Sequence, residues 1–253
     1  MRVALVTGAG SGIGESSARL LAERGHAVAL VGRRPELLDA TAGAIAARGG
    51  EAKTNVADLG EADGPARVVD GVLAAFGRLD VLVNNAAVIR NDSFERFTIE
   101  DFDLHVAVNL RAPFFLVQAA LPALRRGDAP AVVNVSSSVG SIVKPSTTLY
   151  ATTKAALEYL TRATAYELAA TGIRVNCIAP GPVDTPIHAT YSDDLDETYR
   201  DLARRIPLGR MGAPDDIARW VWWLVSPDTG WTTGNVVHVD GGQVLGLPES
   251  AGG

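Results

Sequence analysis

Short runs of aliphatic and β-branched residues punctuate the chain at Val3 to Val6, Ala27 to Val31, Val81 to Val83, Ala131 to Val135, Arg174 to Ile178 and Val236 to Val239. Each has the length of a strand. They are continuously apolar rather than alternating, as expected where helices cover both faces of a parallel sheet. Between them lie stretches with helical spacing, including Ile13 to Arg24, Pro65 to Phe76, Arg111 to Arg125, Leu149 to Ala170 and Pro214 to Val225. Strand and helix alternate with no Pro/Gly/Ser-rich linker. This predicts one α/β domain, a doubly wound parallel sheet with right-handed crossovers. The rhythm breaks once, from Pro182 to Pro207, where Ile187, Tyr191, Leu195, Tyr199 and Leu202 recur at helical spacing. That segment reads as a helical flap over about 183–208, or alternatively as a surface helix covering the sheet edge. The small, polar tail after Leu247 is expected to be loosely ordered.

Composition narrows the function. The 253 residues are 47% hydrophobic, enough for a substantial core, and the formal net charge of -6 gives no basic face for a nucleic-acid backbone. The single cysteine, Cys177, has no intrachain disulfide partner, and the four histidines form no metal-ligand cluster. A reducing, cytoplasmic setting follows. About five apolar residues precede the first glycine turn, too few for a signal-peptide core, and nothing later reaches membrane length. Cys177 lies in a run expected to be a buried strand, where a small apolar side chain suffices.

The first strand runs into Thr7-Gly8-Ala9-Gly10-Ser11-Gly12-Ile13-Gly14, and a helix then begins. Glycines allow a pyrophosphate to approach the backbone closely, and a helix N-terminus offers free N–H groups with partial positive charge. The order of glycines departs from Gly-x-Gly-x-x-Gly, so a chance glycine-rich turn is the competing reading. A P-loop is excluded, because Glu15 stands where that motif needs Lys.

The turn is followed in order by Asn84-Asn85-Ala86-Ala87, Asn109, Val135-Ser136-Ser137-Ser138, Tyr150-Ala151-Thr152-Thr153-Lys154 and Pro180-Gly181-Pro182-Val183-Asp184-Thr185. With this set the chain resembles the short-chain dehydrogenase/reductase family nearly throughout, through Gly242. The resemblance implies a Rossmann fold and NAD(P)-dependent hydride transfer between nicotinamide and a carbonyl or secondary alcohol. It also implies a catalytic set of Asn109, Ser137, Tyr150 and Lys154. Cofactor contacts are expected from Gly8, Gly10, Ser11, Gly12, Ile13 and Gly14, from Arg33 and Arg34, and from Asn55 and Val56 near the adenine. Asn85, Ala86 and Ala87 are expected beside the adenosine ribose, and Pro180, Gly181, Val183 and Thr185 beside the nicotinamide. Two positions depart from the family's usual residues: Ala87, often glycine, and Asn55, often aspartate.

Reduction of a carbonyl leaves negative charge on oxygen, so a proton donor and a nearby cation are needed. Tyr150 and Lys154, at i and i+4, share a helix face, and an ammonium beside a phenol should lower a pKa that is otherwise about 10. By resemblance Tyr150 is the general acid in reduction and the base in oxidation, and Lys154 also holds the nicotinamide ribose. Ser137 would hydrogen-bond the substrate oxygen, with Ser136 and Ser138 turned from its direction and Ser138 still bordering the pocket. Asn109 would hold a water beside Lys154, or would simply be a buried hydrogen-bonding residue.

Val88, Ile142, Leu149, Ile187 and Tyr191 suggest an apolar substrate pocket, and Arg90 is a candidate for an anion. His188 either faces substrate or lies exposed at the start of the flap helix. Gly32 leaves room where a carboxylate would repel a 2′-phosphate, and Arg33 offers a planar cation, so NADP(H) is favoured over NAD(H). The competing reading has Arg33 and Arg34 meeting solvent or Glu36. The family resemblance suggests a homotetramer, and Phe114, Phe115, Leu157 and Tyr159 offer apolar surface for two-fold contacts. Two other functions remain open: a cofactor-sensing regulator without turnover, and a dehydratase or epimerase on the same scaffold.

Overall fold

The computed structural model describes residues 1–192 and 194–246. The tail expected to be loosely ordered lies outside the described residues. The elements run β1 (Val3–Thr7), α1 (Gly12–Glu23), β2 (Ala27–Gly32), α2 (Pro35–Ala46), β3 (Ala52–Val56), α3 (Gly64–Phe76), β4 (Val81–Asn84), α4 (Ile99–Val106), α5 (Ala112–Leu124), β5 (Ala131–Val135), α6 (Thr148–Leu168), β6 (Arg174–Pro180), α7 (Leu195–Arg204), α8 (Pro214–Val225) and β7 (Val236–Val239). One seven-stranded sheet in the order β3-β2-β1-β4-β5-β6-β7 results, with every pairing parallel. The chain winds outward from β1 in one direction and from β4 in the other, so their C-terminal ends flank the switch point where doubly wound folds bind ligands.

Alternate residues of each strand feed two cores. Val3 and Leu5 face α3, α5 and α6, where Val68, Val72, Leu116 and Leu168 pack. Ala4 and Val6 face α1, α2 and α8, against Leu21, Leu38, Ile217 and Val221. At the opposite edge from the switch point, the buried carboxylate of Asp80 accepts the N–H groups of Val3 and Asp128 and a two-pronged bond from Arg78. This clamps β1 to the loops before β4 and β5.

Two expectations need correction. The strand Ala52–Val56 is absent from the predicted set because AKTNV is not an apolar run. It is the outer strand on its side, and Lys53, Thr54 and Val56 face solvent. Second, α4, a π-helical turn over Ala107–Arg111 and α5 form one continuous helix, Ile99–Leu124. It has 26 residues and an 18-residue window of mean hydropathy 1.4, so a membrane-length apolar helix does exist. Here half of that window is buried, with Ala112, Leu116, Ala120 and Leu124 in the core beside α3.

Candidate active site

A cleft of about 490 Å³ opens over the C-terminal ends of β1, β4, β5 and β6. Its floor is the glycine turn. Gly8 and Gly12 adopt φ of +66° and +56°, the left-handed region that glycine enters without strain. Gly14 serves packing instead. A Cβ there would stand 2.1 Å from the Gly8 carbonyl oxygen and 2.5 Å from Asn85 Nδ2, so it does not line the cleft as a contact residue. Thr7 Oγ1 accepts the N–H groups of Asn85 and Ala86 at 2.9 and 3.0 Å, and Asn85 Nδ2 donates to the Thr7 carbonyl. The turn after β1 is thereby stapled to the turn after β4. These glycines and the free N–H groups that begin α1 form a cradle of the shape and polarity a pyrophosphate requires.

Gly8, Gly10, Ser11, Gly12, Ile13, Arg33, Arg34, Asn85, Ala86 and Ala87 all reach the cleft as expected. Ala87 is accommodated because its backbone avoids the left-handed region. Neither Arg33 nor Arg34 pairs with Glu36 or any other acid among the described residues; Arg34 instead reaches Ser11 Oγ at 3.4 Å. Asn55 and Val56 do not reach the cleft. The Asn55 amide donates to the Val68 carbonyl of α3, and Val56 points outward. The cleft is lined instead by Ala57, Asp58 and Leu59, directly after β3.

At the other end of the cleft the turn after β5 delivers Ser137 and α6 delivers Tyr150, and both line the same wall. Lys154, one turn along α6, is fully buried. Its Nζ donates to the Val135 carbonyl at 2.7 Å and lies 5.5 Å from the Tyr150 ring centroid. Burial pushes the phenol up to about 12, opposed by the Ser137 hydroxyl, and pushes the lysine down to about 8. The expected lowering of the phenol by Lys154 is therefore absent here: desolvation dominates, and the ammonium is aimed at a backbone carbonyl. Ser136 and Ser138 also line the cleft, but their hydroxyls are engaged elsewhere. Ser136 Oγ lies 2.9 Å from Glu158 Oε1 and 3.1 Å from the Lys154 carbonyl, and Ser138 Oγ donates to Gln243 Oε1 at 2.7 Å.

Asn109 is buried within the π-helical turn. Its Oδ1 accepts Val88 N–H, and its Nδ2 donates to the Val88 carbonyl and Thr153 Oγ1. The side chain thus pins the loop after β4 to α6. Of the two expected roles, the structural one accounts for every contact of that amide. Glu158, buried one turn beyond Lys154, was not singled out in the sequence; its position at i+8 from Tyr150 on the same face was the available signal.

The flap segment closes the substrate end. Pro180, Gly181, Val183 and Thr185 line the cleft, followed by Ile187, His188, Tyr191 and Leu202, with Val88 opposite. α7 has no buried residue, consistent with a cover over the cleft rather than a helix packed on the sheet edge. Leu149 and Ile142 do not line the cleft, because Leu149 points off the face of α6 that Tyr150 occupies; Lys144 and Thr147 stand there instead. His188 is buried, not exposed. Its Nε2 donates to the Val183 carbonyl at 2.8 Å, leaving Nδ1 to accept the Tyr191 hydroxyl, and burial lowers its pKa so that the ring stays neutral. Arg90 is held by Asp101 at 2.6 Å. Cys177 is buried and its thiol is pushed up to about 12 by desolvation, which makes it a poor nucleophile.

An anion cradle leading into a slot with proton donors at its deep end is what hydride chemistry on a dinucleotide requires, and it places the protein among nicotinamide-dependent oxidoreductases. The known proteins it resembles agree. A family model described as enoyl-(acyl carrier protein) reductase matches residues 8–243. The chain is 37% identical over 245 residues to the 3-oxoacyl-[acyl-carrier-protein] reductase FabG of Thermotoga maritima, covering 96% of this chain and 98% of that one. A variant of a Serratia marcescens short-chain dehydrogenase/reductase superposes with a TM-score of 0.90 at 32% identity, covering 96% of this chain and 98% of the other. The angucycline C-6 ketoreductase LanV with bound NADP gives 0.90 at 34% identity, covering 97% and 96%. The chain belongs to the short-chain dehydrogenase/reductase family, and its function is NAD(P)-dependent oxidoreduction rather than cofactor sensing without turnover.

Proposed function

We propose that the protein is a cytosolic, NADP(H)-preferring carbonyl reductase and secondary-alcohol dehydrogenase. The observation that carries this reading is that Ser137 and Tyr150 line the same end of the cleft, beside a buried lysine. Two O–H donors at one end of the slot suit the oxygen of a carbonyl, and this favours C=O over the C=C bond that an enoyl reductase acts on. The bound nicotinamide supplies or accepts the hydride. Ser137 holds the substrate oxygen, and Tyr150, neutral at pH 7, donates its proton to that oxygen in reduction. In oxidation the tyrosine takes a proton back. Lys154 places a cation below the phenol and within reach of a ribose. Asn109 positions Val88, and the pocket wall is Val88, Ile187 and Tyr191.

The preference for NADP(H) rests on Gly32, which carries no carboxylate, and on Arg33 and Arg34, which stand exposed at the cleft beside the N-terminus of α2 with no acidic partner among the described residues. A 2′-phosphate placed there meets two guanidinium groups and a helix N-terminus. The expected outcome is a higher kcat/KM with NADPH than with NADH, reversed by G32D combined with R33I. Equal or better use of NADH by the wild type overturns this preference. For the chemistry, Tyr150→Phe removes the proton donor and keeps the ring, so turnover falls at least about 100-fold while NADPH binding, followed by its fluorescence, stays near wild type. Retention of more than about a tenth of the rate would exclude Tyr150 as the acid.

A further inference from the structure

Lys144 is a cation that the chemistry above does not use. It stands in the segment between β5 and α6, half-buried, and lines the cleft together with Ser137, Tyr150, His188 and Tyr191. Its backbone is fixed, since Thr147 Oγ1 donates to the Lys144 carbonyl at 2.9 Å. Two residues on, Ser146 takes a left-handed φ of +64°, and its carbonyl accepts Asp92 N–H at 3.0 Å. A non-glycine residue held in that region marks a loop whose path is imposed by its surroundings.

No carboxylate pairs with the Lys144 ammonium among the described residues. The charges that act on it are basic: Arg205, exposed at the C-terminal end of α7, and burial both lower its pKa. Lys144 in turn disfavours protonation of His188. The chain as a whole carries a net charge of -6, so two uncompensated cations at the mouth of its reactive cleft are a local reversal of sign. A part-buried cation without a partner is destabilising, and a cleft lined by one sign of charge concentrates the opposite sign. The cofactor's phosphates are served at the far end, by the glycine turn, Arg33 and Arg34. Arg90, the other cation near this end, is already bound to Asp101.

We propose that the substrate is an oxo acid whose carboxylate is bound by Lys144 while its carbonyl oxygen meets Ser137 and Tyr150, with Arg205 drawing the anion to the mouth. The assignment rests on the carbonyl-reductase reading and adds the substrate's charge class. It leaves the apolar part of the wall a separate task. Val88, Ile187 and Tyr191 give orientation by shape, and one charge-assisted hydrogen bond sets the register of the carbonyl.

The test compares each anionic ketone with its neutral counterpart at saturating NADPH: acetoacetate with methyl acetoacetate, levulinate with methyl levulinate, and dihydroxyacetone phosphate with dihydroxyacetone. In the wild type the carboxylate member of a pair should have the higher kcat/KM. In K144M and K144Q the ratio of kcat/KM for anion over ester should drop about 10- to 100-fold, mainly through KM, the size of one charge-assisted hydrogen bond at a part-buried site. K144R should keep most of the ratio, which also guards against a folding defect in the neutral variants. An unchanged ratio in K144M and K144Q, or wild-type preference for every ester, overturns the proposal. Preference confined to the phosphate pair overturns the carboxylate assignment in favour of a phosphorylated substrate. Loss of NADPH affinity in K144M overturns it by making Lys144 a cofactor contact. Wild type that reduces the neutral members without favouring the anions leaves the carbonyl-reductase reading intact and sinks this one alone. Failure to reduce any of these compounds or a panel of neutral ketones and aldehydes sinks both.

Discussion

In the catalytic role proposed above, Lys154 would act at the expense of stability. Its ammonium is out of water with one backbone carbonyl as acceptor, and its pKa falls to about 8 from an ordinary 10.5. Below pH 8 the lysine is charged in both folded and unfolded chains, and folding carries the full desolvation cost. Between pH 8 and 10.5 the folded chain loses the proton first, and the cost fades. Lys154→Met removes that charge but leaves the Val135 carbonyl without its donor, an opposing cost of about 1–3 kcal/mol. The net expectation is a variant with no measurable turnover and a higher Tm at pH 7, with its advantage over wild type shrinking by pH 10. Thermal unfolding of the two proteins at both pH values measures this; an advantage that grows with pH would show that the buried charge is not the source. That Ser137, Tyr150 and Lys154 share one cleft was legible in the sequence, because they occur at spacings set by a strand end and one helical turn. The protonation of Tyr150 was not, since desolvation depends on what packs around the ring rather than on what stands four residues away.

At the level of elements, the glycines divide by what surrounds them. Gly14, at the start of α1, has no room for a methyl group, and Gly14→Ala should either prevent accumulation of soluble protein or abolish NADPH binding, because relief requires pulling α1 off the turn that Asn85 staples. Gly43, exposed inside α2 with open space around it and an ordinary φ, should behave oppositely. Gly43→Ala should stabilise by about 0.4–1 kcal/mol through the unfolded chain, read as a higher urea midpoint with unchanged slope. A destabilised Gly43→Ala would mean that α2 frays in the native state. The elements themselves were readable where their cores are double-sided, as in β1, β2, β5 and β6. β3 was missed because an outer strand with one wet face lacks the continuous apolar run. Which of its two readings held for His188 was not legible for a related reason: its burial comes from Tyr191, Tyr199 and the Val183 carbonyl folding over it, contacts made by the flap as a unit.

For the whole molecule, the outer faces of α5 and α6 expose Phe114, Phe115, Tyr159 and Tyr166, whereas Leu157, expected on that surface, is buried. Tyr166 is 88% exposed, and Phe114 and Phe115 meet edge to face at 5.2 Å. Apolar surface of this kind fits isologous association, and we expect a homotetramer. Sedimentation should give four chains for the wild type and smaller species for F115D combined with Y166D; a wild-type monomer at micromolar concentration would exclude the assembly. The cleft is also gathered from the full length of the chain. A methyl group on Gly12 would touch Thr185, and Ser138 is bonded to Gln243, 105 positions away. On the ribosome the glycine turn, Arg33 and Asn85 emerge with the first half of the sheet, while the far wall of the cleft, from Pro180 to Gln243, has yet to be translated. The complete site for a nicotinamide cofactor therefore exists only once folding is nearly finished. The cofactor acts as a latch on the finished molecule, slowing unfolding in proportion to its occupancy and leaving the refolding rate unchanged.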